Sequence, residues 1–230
     1  MNPPPKPPWA TADAYLFDID GTLLNVRDGV HYYAFHHAVQ KIFGVDSHID
    51  GVPVHGSTDI AILRAVLRRE GLKDDDFEPR LPEAIAHMGA EVRAGAGGIR
   101  PELCPSVPEL LQSLQARGKL LGVVSGNLEA IGWTKLEAAG LRSLFQFGCF
   151  SDYHELREDI FRHGIAEVRQ RLGPAATVCA VGDTPSDICA AQAAGIAIIA
   201  LATGVFPAEQ LRELHPDACF SCGTDLLPLL

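Results

Sequence analysis

The sequence YLFDIDGT at residues 15–22 decides the fold, because it joins a short apolar run to two acids and a glycine. The apolar part suits a strand that helices cover on both faces, as in a parallel sheet. Side chains alternate along a strand, so Asp18 and Asp20 are expected on the same side. Both acids follow the strand at its carboxyl end, where open α/β sheets bind ligands. Gly21 allows a sharp exit and leaves backbone N–H groups free for anionic oxygens.

Similar apolar runs recur along the chain and alternate with segments of helical period. This alternation is typical of a parallel sheet with crossover helices. It predicts an α/β fold with a doubly wound, mostly parallel, Rossmann-like sheet. The strands are predicted at residues 15–20, 120–125, 146–151, 178–183 and 196–200, with a weaker one at 218–221.

The interval between the first two predicted strands, residues 20–120, is far longer than a crossover needs. It contains three amphipathic helical patterns and no convincing strand. We therefore predict a small α-helical cap inserted at residues 26–99, with an α/β core formed by residues 13–25 and 100–230. The proline-rich start, residues 1–12, is predicted to be disordered.

Composition narrows the class of protein. The chain has 230 residues, of which 47% are hydrophobic and 21% charged, so it can bury a sizeable core. Its formal charge of −10 disfavours nucleic-acid binding, and no apolar run reaches the roughly 18 residues of a membrane span. Six dispersed cysteines suit a reduced, cytoplasmic protein, although Cys219 and Cys222 form a C-x-x-C pair that leaves a metal or redox role open. Monomer and homodimer both stay open.

Polar motifs follow two further strands. Ser125-Gly126-Asn127 comes after the second predicted strand and offers a hydroxyl and helix-end amides to a phosphate. Asp183 and Asp187 come after the fourth. Acids from distant parts of the chain are thus expected at one edge of the sheet, where hard oxygen ligands suit Mg²⁺.

Three motifs together resemble the haloacid dehalogenase superfamily. They are Asp-x-Asp-Gly-Thr at residues 18–22, Ser-Gly-Asn at 125–127 and Gly-Asp-Thr-x-x-Asp at 182–187. Their order and spacing agree with the family from about residue 13 to about residue 225. The helical insertion resembles the cap of the branch that includes phosphoglycolate phosphatases and β-phosphoglucomutases.

The resemblance implies a role for each matching residue. Asp18 is expected to be the nucleophile, and Asp20 the general acid and then the general base. It also implies that Mg²⁺ is held by Asp18, the carbonyl of Asp20 and Asp183, with Asp187 assisting directly or through water. The residues expected to bind phosphate are Gly21, Thr22, Ser125, Gly126 and Asn127.

One position departs from the family pattern, which has a lysine at the start of the helix before the fourth strand. No lysine follows Lys135 in this chain, and Lys135 lies in an earlier helix. Arg157 is the best match in position, with Arg162 in reserve. Arginine keeps the charge and can hold phosphate through two donors, so we predict a catalytic role for Arg157.

The predicted cap contributes further candidates. Ser57 and Thr58 precede an amphipathic helix, where a helix-capping role is sufficient. A sharper hypothesis is a loop that closes over the site and contacts the leaving group of the substrate. Arg27 and Arg64 could bind a substrate anion, although an exposed, solvated position is favoured.

We therefore expect a Mg²⁺-dependent phosphatase that hydrolyses a small phosphorylated metabolite through an aspartyl-phosphate on Asp18. Phosphoglycolate-like and sugar-phosphate substrates are candidates by analogy with capped relatives. One alternative is a phosphomutase of the β-phosphoglucomutase type. An alternative of another class is a non-catalytic phosphate-binding or regulatory protein with the same fold.

Overall fold

The computed structural model describes residues 7–230 and is built around a parallel sheet. The strands run in the order β5-β4-β1-β6-β7-β8, and all five pairings between neighbours are parallel. The six strands predicted from the sequence all lie in this sheet. Two short strands, β2 and β3, form a separate antiparallel ribbon. The bounds are β1 Ala14–Phe17, β2 Leu24–Val26, β3 Pro101–Leu103, β4 Leu120–Val124, β5 Phe147–Cys149, β6 Val178–Gly182, β7 Ala197–Leu201 and β8 Ala218–Phe220.

Helices connect the strands and cover the sheet. None of those described between residues 7 and 230 is long and apolar enough to cross a membrane. The second helix continues as a π-helix over Val39–Phe43. The bounds are α1 Pro8–Thr11, α2 Val30–Ala38, α3 Asp59–Arg69, α4 Asp74–Phe77, α5 Leu81–Ala94, α6 Val107–Ala116, α7 Glu129–Ala138, α8 Arg157–Leu172, α9 Pro185–Ala193, α10 Ala208–Arg212 and α11 Gly223–Leu226.

The central strand β1 is buried on both faces. Tyr15 and Phe17 enter one hydrophobic cluster, and Ala14 and Leu16 enter the other. Because side chains alternate along a strand, an unbroken apolar run supplies both clusters at once. The predicted doubly wound α/β architecture is confirmed.

The long interval after β1 contains helices α2 to α5, which lie between the two strands of the ribbon. These helices share a hydrophobic cluster in which Phe35, Leu63 and Met88 are fully or almost fully buried, and Leu128 and Ile131 of the core pack against it. The expectation that this interval holds no strand was wrong, because β2 and β3 both fall within it. The ribbon strands have three residues each, too few to display an alternating pattern.

The start of the chain is ordered closer to the N-terminus than the sequence suggests. Residues 1–6 lie outside the described residues, so their predicted disorder is not addressed. Residues 8–11 form α1. The rings of Trp9 and Phe220 pack in a T-shaped arrangement with centroids 5.8 Å apart, and the Trp9 carbonyl accepts a hydrogen bond from the Tyr15 hydroxyl. The prediction of disorder was wrong for residues 8–11, because burial of the Trp9 side chain offsets the conformational entropy that is lost when the segment is ordered.

Candidate active site

The three motifs meet because β4 and β6 flank β1 in the sheet. Phe17 is in register with Val123 on one side and Val181 on the other, so the residues that follow the three strands lie next to one another. A cavity of about 330 Å³ lies between this edge and helices α2 and α3. The sequence-predicted residues that line it are Asp18, Asp20, Gly21, Ser57, Ser125, Gly126, Asn127, Arg157 and Asp183.

Arg157 lies beside the proposed nucleophile. It begins α8 and is almost completely buried, and its Nη2 is 2.8 Å from Asp18 Oδ1 and 2.7 Å from Asp187 Oδ1. Burial acts to lower the pKa of Arg157, but the charges of Asp18 and Asp187 outweigh it and raise the pKa, so the guanidinium stays protonated. The reserve candidate Arg162 lies at the surface and pairs with Glu158 of its own helix.

Asp18, Asp183 and Asp187 form a buried cluster whose carboxylate oxygens lie within 4.8 Å of one another. Burial raises the pKa of Asp18 and of Asp183, and the neighbouring carboxylates raise both further. When ionised, the three carboxylates face one guanidinium and carry a surplus of two negative charges. Oxygen donors with this surplus fit a hard divalent cation such as Mg²⁺.

Asp183 is held in a narrow space between two glycines. A Cβ atom on Gly21 would lie 2.2 Å from Asp183 Oδ2, and one on Gly204 would lie 1.8 Å from the same oxygen. Thr22 donates a hydrogen bond from Oγ1 to Asp183 Oδ1 at 2.8 Å. Thr22 was predicted to bind phosphate, but its hydroxyl is buried against Asp183 and does not line the cavity.

Asp187 is completely buried, and each of its carboxylate oxygens already has protein partners. Oδ1 accepts from Arg157 Nε at 2.8 Å, and Oδ2 accepts from the backbone N–H and the hydroxyl of Thr184 in the capping box of α9. These contacts tie Asp187 to Arg157 and to the start of α9.

Asp20 faces the cavity and is held by two core residues. Its carboxylate lies 2.7 and 2.9 Å from Lys135 Nζ and accepts a hydrogen bond from Asn127 Nδ2 at 2.8 Å. Lys135 also donates to Asn127 Oδ1 at 2.8 Å. Burial acts to raise the pKa of Asp20, but the charge and hydrogen bonds of Lys135 and the bond from Asn127 outweigh it and lower the pKa.

The sequence analysis did not place Lys135 in the site, although its position in an apolar helical stripe could have indicated that it is buried. Lys135 lies four residues after Ile131 and seven after Leu128, and it therefore shares their buried stripe on α7. A lysine at an apolar position of a buried stripe needs a partner, which is here Asp20.

The predicted phosphate loop lies directly under the cap. Ser125 Oγ accepts hydrogen bonds from the side-chain and backbone nitrogens of Asn127, at 2.8 and 3.3 Å. A Cβ atom on Gly126 would lie 2.4 Å from the carbonyl oxygen of Ser57. Glycine at position 126 is therefore what lets the loop that precedes α3 approach the site.

The two predicted cap residues differ in position. Ser57 lines the cavity, and its hydroxyl donates to the carbonyl of Pro53 at 2.7 Å. Thr58 does not line the cavity. It caps α3 by accepting from the Ala61 N–H, and it donates to the Glu155 carbonyl at 2.8 Å. The capping interpretation of Thr58 is therefore the one that the structure shows.

Known proteins resemble this chain over most of its length. The family model described as haloacid dehalogenase-like hydrolase matches residues 15–201. A phosphoglycolate phosphatase of Synechococcus elongatus is 31% identical over 93% of this chain and 95% of its own length. A phosphoglycolate phosphatase of Mesorhizobium japonicum is 32% identical over 90% of this chain and 89% of its own length. The crystal structure of CbbY from Rhodobacter sphaeroides in complex with phosphate has the same fold, with a TM-score of 0.72 and 19% identity over 94% of this chain and 96% of that one. The chain therefore belongs to the haloacid dehalogenase-like hydrolase family and is a phosphatase of that family.

Proposed function

We propose that the chain hydrolyses the phosphate ester of a small metabolite through an aspartyl-phosphate on Asp18, with Mg²⁺ as cofactor. The observation that carries the proposal is the placement of Asp18 and Asp20 at the floor of one cavity, each paired with a different cation. Two carboxylates with separate partners can take separate chemical roles.

In the first step, a carboxylate oxygen of Asp18 attacks phosphorus in line. The new O–P bond forms as the bond from phosphorus to the leaving oxygen breaks, and protonated Asp20 gives its proton to that oxygen. Arg157 is placed to stabilise the negative charge that develops next to Asp18.

In the second step, Asp20 takes a proton from water as the water oxygen bonds to phosphorus. The bond between phosphorus and the Asp18 oxygen breaks, which releases phosphate and free Asp18. The ion pair with Lys135 favours the ionised form of Asp20, which is the form that accepts this proton. Ser125 and the amides of its loop lie where they can bind the oxygens of the transferred group.

The acidic cluster supports the choice of Mg²⁺. Asp18, Asp183 and the carbonyl of Asp20 would hold the ion, which would supply neutralising charge to the phosphoryl oxygens. We propose that Asp187 acts mainly by holding Arg157, since Oδ1 of Asp187 already binds this guanidinium.

Phosphate release tests the proposal. A panel of phosphorylated metabolites is assayed with Mg²⁺ and with chelator, using the wild type and Asp18→Asn. Asp75→Asn is a matched control, because Asp75 is an exposed acid of α4 in the cap. Release should require Mg²⁺ and Asp18 and should not change in the control. Folded Asp18→Asn with wild-type turnover would contradict an intermediate on this residue.

A further inference from the structure

The surface of the cavity opposite Asp18 and Asp20 carries a group of apolar side chains among polar ones. This surface, here called the roof, consists of the lining residues between positions 25 and 62. In the proposed reaction, the organic part of a substrate would face the roof while the phosphate lies at the floor. The roof presents the aliphatic and aromatic side chains of Val26, Phe35, Ile49, Val54 and Ile62.

The ionisable groups of the roof supply no free positive charge. His31, Tyr32, His55 and Asp59 line it, and no lysine or arginine does so within residues 7–230. His31 Nε2 is buried without a hydrogen-bond partner among the described residues and lies 3.2 Å from Asp59 Oδ2, so a carboxylate is beside this ring nitrogen. The Tyr32 hydroxyl donates to Asp50 at 2.8 Å. His55 is exposed, with its ring edge-on to that of Phe206.

The two arginines that could have bound a substrate anion do not reach the cavity. Arg64 lies 2.6 Å from Glu78 and 2.7 Å from Glu155, and Arg27 is exposed outside the lining. The cations that do line the cavity, Lys135 and Arg157, both belong to the floor and are paired there with Asp20 and Asp18.

Two hydrogen bonds of Asp59 join the roof to the floor. The Asp59 N–H donates to the Gly126 carbonyl at 2.7 Å, and Asp59 Oδ2 accepts from the Leu128 N–H at 2.8 Å. These bonds also keep the Asp59 carboxylate, buried and acidic, at the roof. A carboxylate or second phosphate on the substrate would face the negative charge of Asp59 there, with no lysine or arginine beside it among the described residues of the roof.

We propose that the enzyme prefers phosphate monoesters whose organic part is neutral and largely apolar over esters that carry a carboxylate, phosphoglycolate included. This inference rests on the proposed phosphatase function and specifies the substrate class of the same site. It separates this chain from the phosphoglycolate phosphatases that it resembles.

Matched substrate pairs test the inference at pH 8, where imidazole is ordinarily neutral. Phosphoglycolate is compared with 2-hydroxyethyl phosphate, which carries a CH₂OH group in place of the carboxylate, and 4-carboxyphenyl phosphate with phenyl phosphate. In each pair kcat/KM should favour the neutral ester by about tenfold or more. Equal or better hydrolysis of the carboxylate esters, abolished by Asp18→Asn, would overturn the inference and leave the phosphatase function intact.

A roof variant gives a second readout. Val54 lies in the loop before α3 and is half-buried, so Val54→Lys can place an ammonium at the roof, and Val54→Met is its uncharged match. The lysine variant should narrow the preference for neutral esters severalfold, and the methionine variant should not. An unchanged ratio in folded Val54→Lys would overturn the inference. If no ester, p-nitrophenyl phosphate included, shows hydrolysis that depends on Asp18, the proposed function itself fails and the inference fails with it.

Discussion

Replacing Lys135 by methionine tests whether this buried lysine positions Asp20 for catalysis. Lys135 Nζ makes two of the three polar contacts that hold the Asp20 carboxylate, at 2.7 and 2.9 Å, and Asn127 makes the third. A hydrogen bond to a charged group contributes about 1.5–3 kcal/mol, and the Asp20 side chain is 44% exposed, so water replaces part of the loss. We therefore assign about 1.5–2.5 kcal/mol to the pair of contacts, which corresponds to a roughly 10- to 70-fold fall in kcat/KM.

The assay is steady-state phosphate release by four proteins: the wild type, Lys135→Met, Asp20→Asn and the double variant. If Lys135 acts through Asp20, its removal should have almost no further effect once Asp20 is asparagine. Lys41→Met, at an exposed lysine of the cap, controls for loss of charge alone. Thermal unfolding checks that each variant is folded. A Lys135→Met enzyme within twofold of wild type, or an equal loss in the Asp20→Asn background, would refute the reasoning.

Three further predictions concern the acidic cluster. Arg157→Lys should keep kcat within about tenfold of the wild type, because lysine keeps the positive charge beside Asp18. Arg157→Met should lower kcat roughly 100- to 1,000-fold. Comparable kcat values for the two variants would contradict a role of this charge. Gly204→Ala should raise the Mg²⁺ concentration for half-maximal activity about tenfold or more, because its Cβ would lie 1.8 Å from Asp183 Oδ2. Gly97→Ala is the control and should leave this concentration unchanged, because a Cβ atom at position 97 would meet nothing within 4 Å. Burial raises the pKa of Asp18 and Asp183, so the folded state binds more protons than the unfolded state, and metal-free protein should lose stability as pH rises through neutrality. Mg²⁺ should then raise the unfolding temperature more at pH 8.5 than at pH 6, and an equal rise at both would argue against these carboxylates as its ligands.

Much of the fold and the main acids could be predicted from local sequence. An apolar run such as Tyr15 to Phe17 can be buried on both faces, and a parallel sheet brings the carboxyl ends of its strands to one edge. That rule is enough to predict that Asp18 and Asp183 lie close together. Sequence periodicity cannot predict very short elements. The three residues of β2 and the single turn of α1 are too few to show a repeating apolar pattern.

The sequence thus determined the sheet, the acids that follow its strands and the family, since each depends on residues close together in the chain. Only the tertiary structure decided which distant side chains meet. Lys135 is 115 residues from Asp20, and Thr22 turns to Asp183 instead of the cavity. The charge of the roof is likewise a property of the packed cap, because Arg64 is taken out of reach by Glu78 and Glu155. A residue type and its spacing predict which groups are available, but the partner that each group finds depends on packing between elements.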